Sequence, residues 1–218
     1  MRKEPPGRPI DDRLLDVAVD QFGRKGLEGA STRAIAAAAG TAMSSITYHY
    51  GGKEGLYVAT ARHIATQIRS RFTAVMASAP HAADLEPEAA TEQILVMAGA
   101  FLQIMLSAEA APWARFIVRE QMEPTEAFEV LWSEVMSPVS ARLVALVLRV
   151  GAGRWTEAEV RVRAVTLIGQ ILVFRVARAT ALRVTGWDDI GPRRAADIRR
   201  IIHANVHAIL ASPGGDQS

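Results

Sequence analysis

The stretch STRAIAAAAGTAMSSITYHYGGKEGLY, Ser31 to Tyr57, is cut by Gly40 and again by Gly51-Gly52, so only short helical pieces fit between the cuts. Ser31 or Thr32 can cap a helix over Arg33–Ala39, which Gly40 stops at once. A second short helix covers about Ser44–Tyr50 and ends at the glycine pair. Upstream, Asp11 or Asp12 can cap a helix in which Leu14, Leu15, Ala18 and Phe22 recur, and Gly23 and Gly26 end it. Lys53 then opens a long helix to about Ala77, with Leu56, Ala59, His63 and Ile64 on one side.

The rest of the 218 residues follows the same helical period. Ser78–Pro87 reads as a loop, followed by helices over Glu88–Ser107 and Pro112–Met122. A further segment runs from Pro124 to about Val150, where Pro138 is expected to kink or split the helix. Thr156 and Glu159 form a capping box that starts one apolar helix to about Leu182. After a loop around Trp187, the last helix covers Arg193 to about Leu210. No strand pattern, repeat or low-complexity segment interrupts this series. Half of the residues are hydrophobic and 22% are charged, which suits a packed globular chain and excludes a disordered one. There is no cysteine, so disulfides and thiolate metal sites are excluded, in keeping with a cytoplasmic protein. No apolar stretch is expected to reach the ~20 residues that cross a bilayer, so no membrane partner is implied. The net charge of +2 permits nucleic-acid binding through a local patch without demanding it.

Two short helices around a tight turn make a helix-turn-helix candidate, in which the second helix enters a DNA major groove. Ser44, Ser45, Thr47, Tyr48 and His49 offer hydroxyls, rings and an imidazole for base edges and backbone, while Ile46 and Tyr50, four apart, can turn inward. Lys53 opens the next helix, where its charge and the free N–H groups favour phosphate. The acids Asp11, Asp12, Asp16 and Asp20 balance the nearby cations, and a DNA-binding role places them away from the groove.

The run FGRKGLEGASTRAIAAAAGTAMSSITYHYGGKEGLY resembles the N-terminal domain of TetR-family transcriptional regulators, most specifically at Tyr48-His49-Tyr50, Lys53-Glu54 and Leu56-Tyr57. The resemblance implies that Thr32, Thr41 and Lys53 contact phosphate, with Arg33 on the same surface and Tyr48 and His49 close to the backbone. It makes Ser44, Ser45 and Thr47 the base readers. Two positions depart from the family pattern. Ala42 stands where a capping Ser or Asn is usual, so Thr41 is a substitute cap one residue early. Met43 stands where many members carry a polar or basic contact residue, and it either packs inward or touches a thymine methyl.

The C-terminal part shows no phosphate loop, no paired carboxylates and no nucleophile–base constellation, so an enzyme is not expected and no cofactor is implied. Phe101, Met105, Trp113, Phe116, Met122, Trp132 and Met136 recur at helical spacings. Ordinary core packing accounts for any one of them, but together they would line an adaptable pocket for a small apolar or amphipathic effector. Arg119, four residues after Arg115, is placed to neutralise an anionic effector or to form a surface ion pair. His203 and His207 lie four apart without a third ligand, a structural pair rather than a metal site. His63 reads as a hydrogen-bonded core histidine. The helix carrying Ile168, Ile171 and Leu172 is apolar over more than one face, and Ile198, Ile202 and Ile209 extend this on the last helix. Paired across a two-fold axis, they would form a four-helix dimer interface.

The segments REQMEPTEAFEVLWSEVMSPVSARLVALV and LIGQILVFRVARATALRVTGW resemble the C-terminal domain of the CecR subgroup of that family. That resemblance implies a homodimer joined by the last two helices and a repressor with transporter genes among its targets. The expected architecture is all-α. It has an N-terminal arm at 1–10, a three-helix helix-turn-helix DNA-binding domain at 11–57, and a larger helical effector-binding and dimerisation domain of about nine helices at 58–212. Double-stranded operator DNA, a small effector and a second copy of the chain are the expected partners. The rival reading is a helical ligand-binding or adaptor protein whose head has lost DNA binding.

Overall fold

The computed structural model describes residues 10–77 and 80–214. The expected 1–10 arm therefore lies, apart from Ile10, outside the described residues. Eleven α-helices and no strand occur among the described residues. They are α1 (Ile10–Gly29), α2 (Thr32–Ala39), α3 (Met43–Tyr50), α4 (Lys53–Ala77), α5 (Pro87–Leu106) and α6 (Ala110–Met122), followed by α7 (Glu126–Leu131), α8 (Ser137–Gly151), α9 (Glu157–Val176), α10 (Arg178–Thr185) and α11 (Pro192–Ala211). Eight of them follow α3, close to the expected nine.

Local chemistry accounts for most of the boundaries. Ser31 Oγ accepts from the Ala34 N–H at the start of α2, and Gly40 closes its end in the left-handed region. Thr156 and Glu159 form the expected capping box, each side chain bonding the other's backbone N–H. Residues Trp132–Met136 form a π-helical turn just ahead of Pro138. Proline has no N–H for the Glu134 carbonyl and its ring crowds that position, so the widened ladder upstream relieves the clash. The expected split at Pro138 thus takes the form of a π turn.

Other boundaries differ from expectation. α1 does not stop at Gly23, which is helical. It breaks at Gly26, where φ is 73° and ψ 179°. The single helix expected from Thr156 to Leu182 breaks at Ala177, and α9 and α10 meet at 86°. By length and composition, Pro87–Leu106 and Glu126–Gly151 are apolar enough to cross a membrane, contrary to expectation. Scattered polar residues hide this in the sequence, and α5 packs its apolar side chains against α8, α9 and α11.

The chain forms two compact units. The first takes the chain up to Ile68 together with Ala111–Val135, and the second takes Arg69–Ala110 and the chain from Met136 onward. The first unit is therefore larger than the expected 11–57 domain, because α6 and α7 fold with it. Its core holds Leu14, Phe22, Ile35, Ile46, Leu56 and Phe116. Gly23 lets α1 approach α6 closely, since a Cβ there would lie 3.1 Å from the Pro112 carbonyl oxygen. The core of the second unit is built from α5, α8, α9 and α11, with Ile94, Leu146, Ile171 and Ile198 buried. The end of α11 is anchored there by side chains that take its free carbonyls. Arg163 donates to Ile209 O at 3.0 Å, and Trp155 Nε1 donates to Ser212 O at 3.2 Å.

Candidate nucleic-acid interface

Helix α3 is pinned on one side and open on the other. Ile46 is 1% exposed and Tyr50 half-buried, whereas Ser44, Thr47, Tyr48 and His49 face solvent. Tyr48 is 85% exposed, its ring edge-on to His49 at 4.9 Å. A large aromatic ring left this bare on a polar face is ready for a partner surface. Ser45 is half-buried at the margin of this face. α2 packs on α3 and places Thr32, half-buried, and Arg33, exposed, beside the turn that holds Thr41. The structure thus brings the expected DNA-contacting residues into one small region of the first unit.

The start of α3 is bare of side-chain help. Ala42 is the N-cap and makes no side-chain cap bond, and Thr41 does not supply one in its place. Ala at this position costs roughly 1 kcal/mol relative to a capping residue. The helix nevertheless begins at Met43, one residue earlier than expected.

The corner after α3 depends on its glycines. Gly51 and Gly52 have φ of 75° and 128°, a region that side-chain-bearing residues rarely enter. Three residues on, a Cβ at Gly55 would fall 1.8 Å from the Tyr50 carbonyl oxygen, so only glycine lets α4 begin against the end of α3. Lys53 Nζ donates to the Glu28 carbonyl oxygen at 2.9 Å, tying this corner to α1. An ammonium has three donors, so two remain for phosphate.

Two acids of α1, Asp16 and Asp20, have partners within the same unit, while Asp11 and Asp12 are exposed near the end of α3. Asp20 Oδ1 accepts from Arg24 Nε and from an Arg115 terminal nitrogen, each at 2.9 Å. Asp16 Oδ1 lies 3.0 Å from His63 Nε2, which makes His63 the hydrogen-bonded core histidine expected. Asp11 and Asp12 lie close enough to Tyr50 that, after burial, their charges help to raise its pKa.

Sequence reasoning missed the polar network beneath this surface. Glu120 on α6 is 1% exposed and accepts from Tyr57 OH at 2.6 Å, from the Thr125 N–H at 3.1 Å and from Thr125 Oγ1 at 2.8 Å. It is held by neutral donors. Thr125 in turn caps α7. Tyr57 sits in the first turn of α4, with Phe22 edge-on at 4.9 Å and Phe116 at 4.6 Å. Burial pushes the Tyr57 pKa up, and the hydrogen bond to Glu120 and its charge add to this. The network joins α4, the helix that follows the corner after α3, to α6 and α7. Sixty-three residues separate Tyr57 from Glu120, and no periodicity links them.

This geometry agrees with the comparisons to known proteins. A family described as "Bacterial regulatory proteins, tetR family" matches residues 14–60, and the C-terminal domain of the "HTH-type transcriptional dual regulator CecR" matches residues 90–212. Over 213 residues the chain is 30% identical to the CecR regulator of Shigella flexneri, covering 94% of this chain and 92% of that protein. The chain belongs to the TetR family, CecR type. It is a DNA-binding transcriptional regulator. Solved regulators share its fold at low identity. One from Pseudomonas aeruginosa PAO1 has a TM-score of 0.65 at 17% identity, covering 95% of this chain and 94% of that one. One from Rhodococcus sp. RHA1 has a TM-score of 0.64 at 16% identity, covering 91% and 95%.

In this TetR-type chain the expected effector residues are divided between the two units. Phe101, Met105 and Met136 belong to the second unit, while Trp113, Phe116, Arg119, Met122 and Trp132 belong to the first. Phe116 is fully buried against Tyr57, and Met122 is 78% exposed, so neither faces an enclosed cavity. Arg119 is exposed rather than buried, and its neighbour Arg115 makes the surface ion pair with Asp20.

The expected dimer residues divide between the interior and the margin of the subunit. Ile171, Ile198 and Ile202 are buried inside the subunit and have no face left for a partner, while Ile168, Leu172 and Ile209 are half-buried. The outward residues are Val162, Val165, Val173 and Val176 of α9 and Ile201 of α11. Val162, Arg163 and Thr166 also line a groove of about 630 Å³ with Ala208 and Ile209 of α11. His203 is half-buried and His207 exposed, and among the described residues no third metal-ligating side chain joins them.

Proposed function

We propose that this regulator is a homodimeric, effector-responsive repressor that reads a pseudo-palindromic operator through α3. The observation that carries this reading is the one-sided burial of α3, with Ile46 inside and Ser44, Thr47 and Tyr48 outside. Ser44 and Thr47 reach base edges, with Ser45 at their margin. Tyr48, His49, Thr32, Arg33, Thr41 and Lys53 hold the flanking phosphates. The rim of acids on α1 supports this, because Asp16 and Asp20 are taken up by His63, Arg24 and Arg115.

The outward valines of α9 and Ile201 of α11 join two copies. Exposed valines on α9 and an exposed isoleucine on α11 lose contact with water when a second copy covers them. An apolar or amphipathic effector binding in the helical C-terminal region shifts the population between DNA-competent and DNA-incompetent head spacings. Its power to induce is set by its differential affinity for the two states. Transporter genes are the first targets to examine. Activation is the second reading, because the Shigella flexneri relative is by name a dual regulator.

Footprinting on the DNA upstream of this chain's own gene and its neighbours tests the proposal. Two symmetric protected half-sites that weaken with added salt are expected. Absence of protection at all of these promoters would count against a local repressor.

A further inference from the structure

The family assignment gives α3 to DNA but does not decide between the two readings of Met43, inward packing or a thymine methyl. By periodicity Met43 stands three residues before Ile46 and seven before Tyr50, which would put it on the inner stripe. The structure places it differently. Met43 is 47% exposed, against 1% for Ile46. At about 100° per residue it lies roughly 20° around the helix from the half-buried Tyr50 and roughly 40° from the exposed Thr47, so it sits at the border of the two faces and its exposure turns it outward. Among the described residues of α1, α2 and α3, the large hydrophobics left exposed are Met43 and Tyr48, and both are on α3.

We propose that Met43 is a specificity-determining residue that reads the C5-methyl group of a thymine in each operator half-site. Met43 is the first residue of α3, and in a helix-turn-helix the N-terminal side chains of the second helix are those that reach base edges. Every other donor or acceptor on the outward face, Ser44 and Thr47 included, can bond to the polar edges of several bases. A thioether chain has no hydrogen to donate and is a poor acceptor, so it gains little from such edges. The thymine methyl is the apolar group that a major groove presents, and an unbranched, polarisable side chain adapts to it readily. The residue before it, the N-cap Ala42, carries only a methyl side chain.

This inference rests on the reading of α3 as the recognition helix, and the experiment separates the two. The full-length chain selects binding sites from a randomised duplex library, and each thymine of the selected site is then replaced singly by deoxyuridine, which lacks only the methyl. Burying one methyl group corresponds to about fourfold in affinity, so one position per half-site is expected to weaken by about that factor. Met43→Ala is expected to bind the thymine and deoxyuridine duplexes equally at that position while still binding DNA. Placing 5-methylcytosine, which restores the methyl, opposite guanine at the same position is expected to recover part of the loss in the native chain only. If the native chain tolerates deoxyuridine everywhere, or if Met43→Ala keeps the same thymine preference, Met43 is not a reader. If no sequence is enriched at all, the recognition-helix assignment itself fails.

Discussion

Helices α3 and α9 each bury one stripe and present another, and the chemistry of the two outward stripes differs. On α3 the buried anchor is Ile46, and the outward side carries hydroxyls, an imidazole and a bare phenol. On α9 the anchors are Leu167 and Ile171, and the outward side carries Val162, Val165, Val173 and Val176, with Val165 67% exposed. Polar groups facing water already have hydrogen-bond partners, so α3 can wait uncovered and exchange water for DNA edges and phosphates. Valines facing water gain only when covered by apolar surface. Exposure alone therefore does not identify a partner. On the function proposed above, its chemistry suits one helix to nucleic acid and the other to a second copy of the chain.

The supports beneath the two faces differ as well. The buried polar residues of the described chain, Thr60 and Glu120, both lie in the first unit. In the first unit a buried carboxylate is held by directional hydrogen bonds, whereas α9 combines apolar packing with part-buried arginine contacts, Arg163 to Ile209 O and Arg175 to Met105 O.

The largest way to break this comparison is the double substitution Val162→Asp and Val165→Asp. Two unpaired carboxylates in an apolar contact are expected to raise the dimer dissociation constant about a thousandfold, measured by analytical ultracentrifugation, with helicity unchanged. A dimer that survives would show that α9 does not form the interface. Next, Glu120→Ala removes the acceptor for Tyr57 and Thr125 and is expected to cost about 2–3 kcal/mol in urea unfolding. DNA affinity would fall with it and the dimer constant would not.

Substitutions on α3 itself act more gently. Tyr48→Ala is expected to weaken binding to all duplexes about tenfold, and Thr47→Ala to alter preference at one or two base positions, both with the dimer intact. The smallest effect near neutral pH comes from Tyr57. Its pKa is raised in the folded chain above the ordinary value of 10.0, so its neutral form is favoured by folding. The associated stability is complete below pH 10 and is lost as pH rises beyond that, toward the folded pKa. Tyr57→Phe is expected to flatten this alkaline decline, measured by thermal unfolding across pH 9 to 11.

Much of the head was legible in the sequence, because glycine and cap residues mark short helices directly. Gly40, Gly51 and Gly52 set the ends of α2 and α3, and Thr156 with Glu159 set the start of α9. Pro138 announced a disturbance whose form, a π turn, it did not specify. The break at Ala177 carries neither glycine nor proline, so nothing local signals it. On α9 and α11 the periodicity showed that apolar residues cover more than one face, but not which face turns inward, and Ile171 and Val165 therefore could not be told apart. The joining of α6 and α7 to the head rests on contacts such as Tyr57 to Glu120, which are long-range and leave no trace in spacing.

The central claim is that the outward face of α3 enters a major groove. It is tested most directly by dimethyl sulfate protection on a duplex selected by the full-length chain, since this reagent methylates guanine N7 on the major-groove edge. The account predicts protected N7 positions in two major-groove patches one helical turn or a multiple apart, with protection lost in the Thr47→Ala, Tyr48→Ala double variant. Guanines that remain fully reactive while the chain is bound, or protection unchanged in that variant, would contradict it.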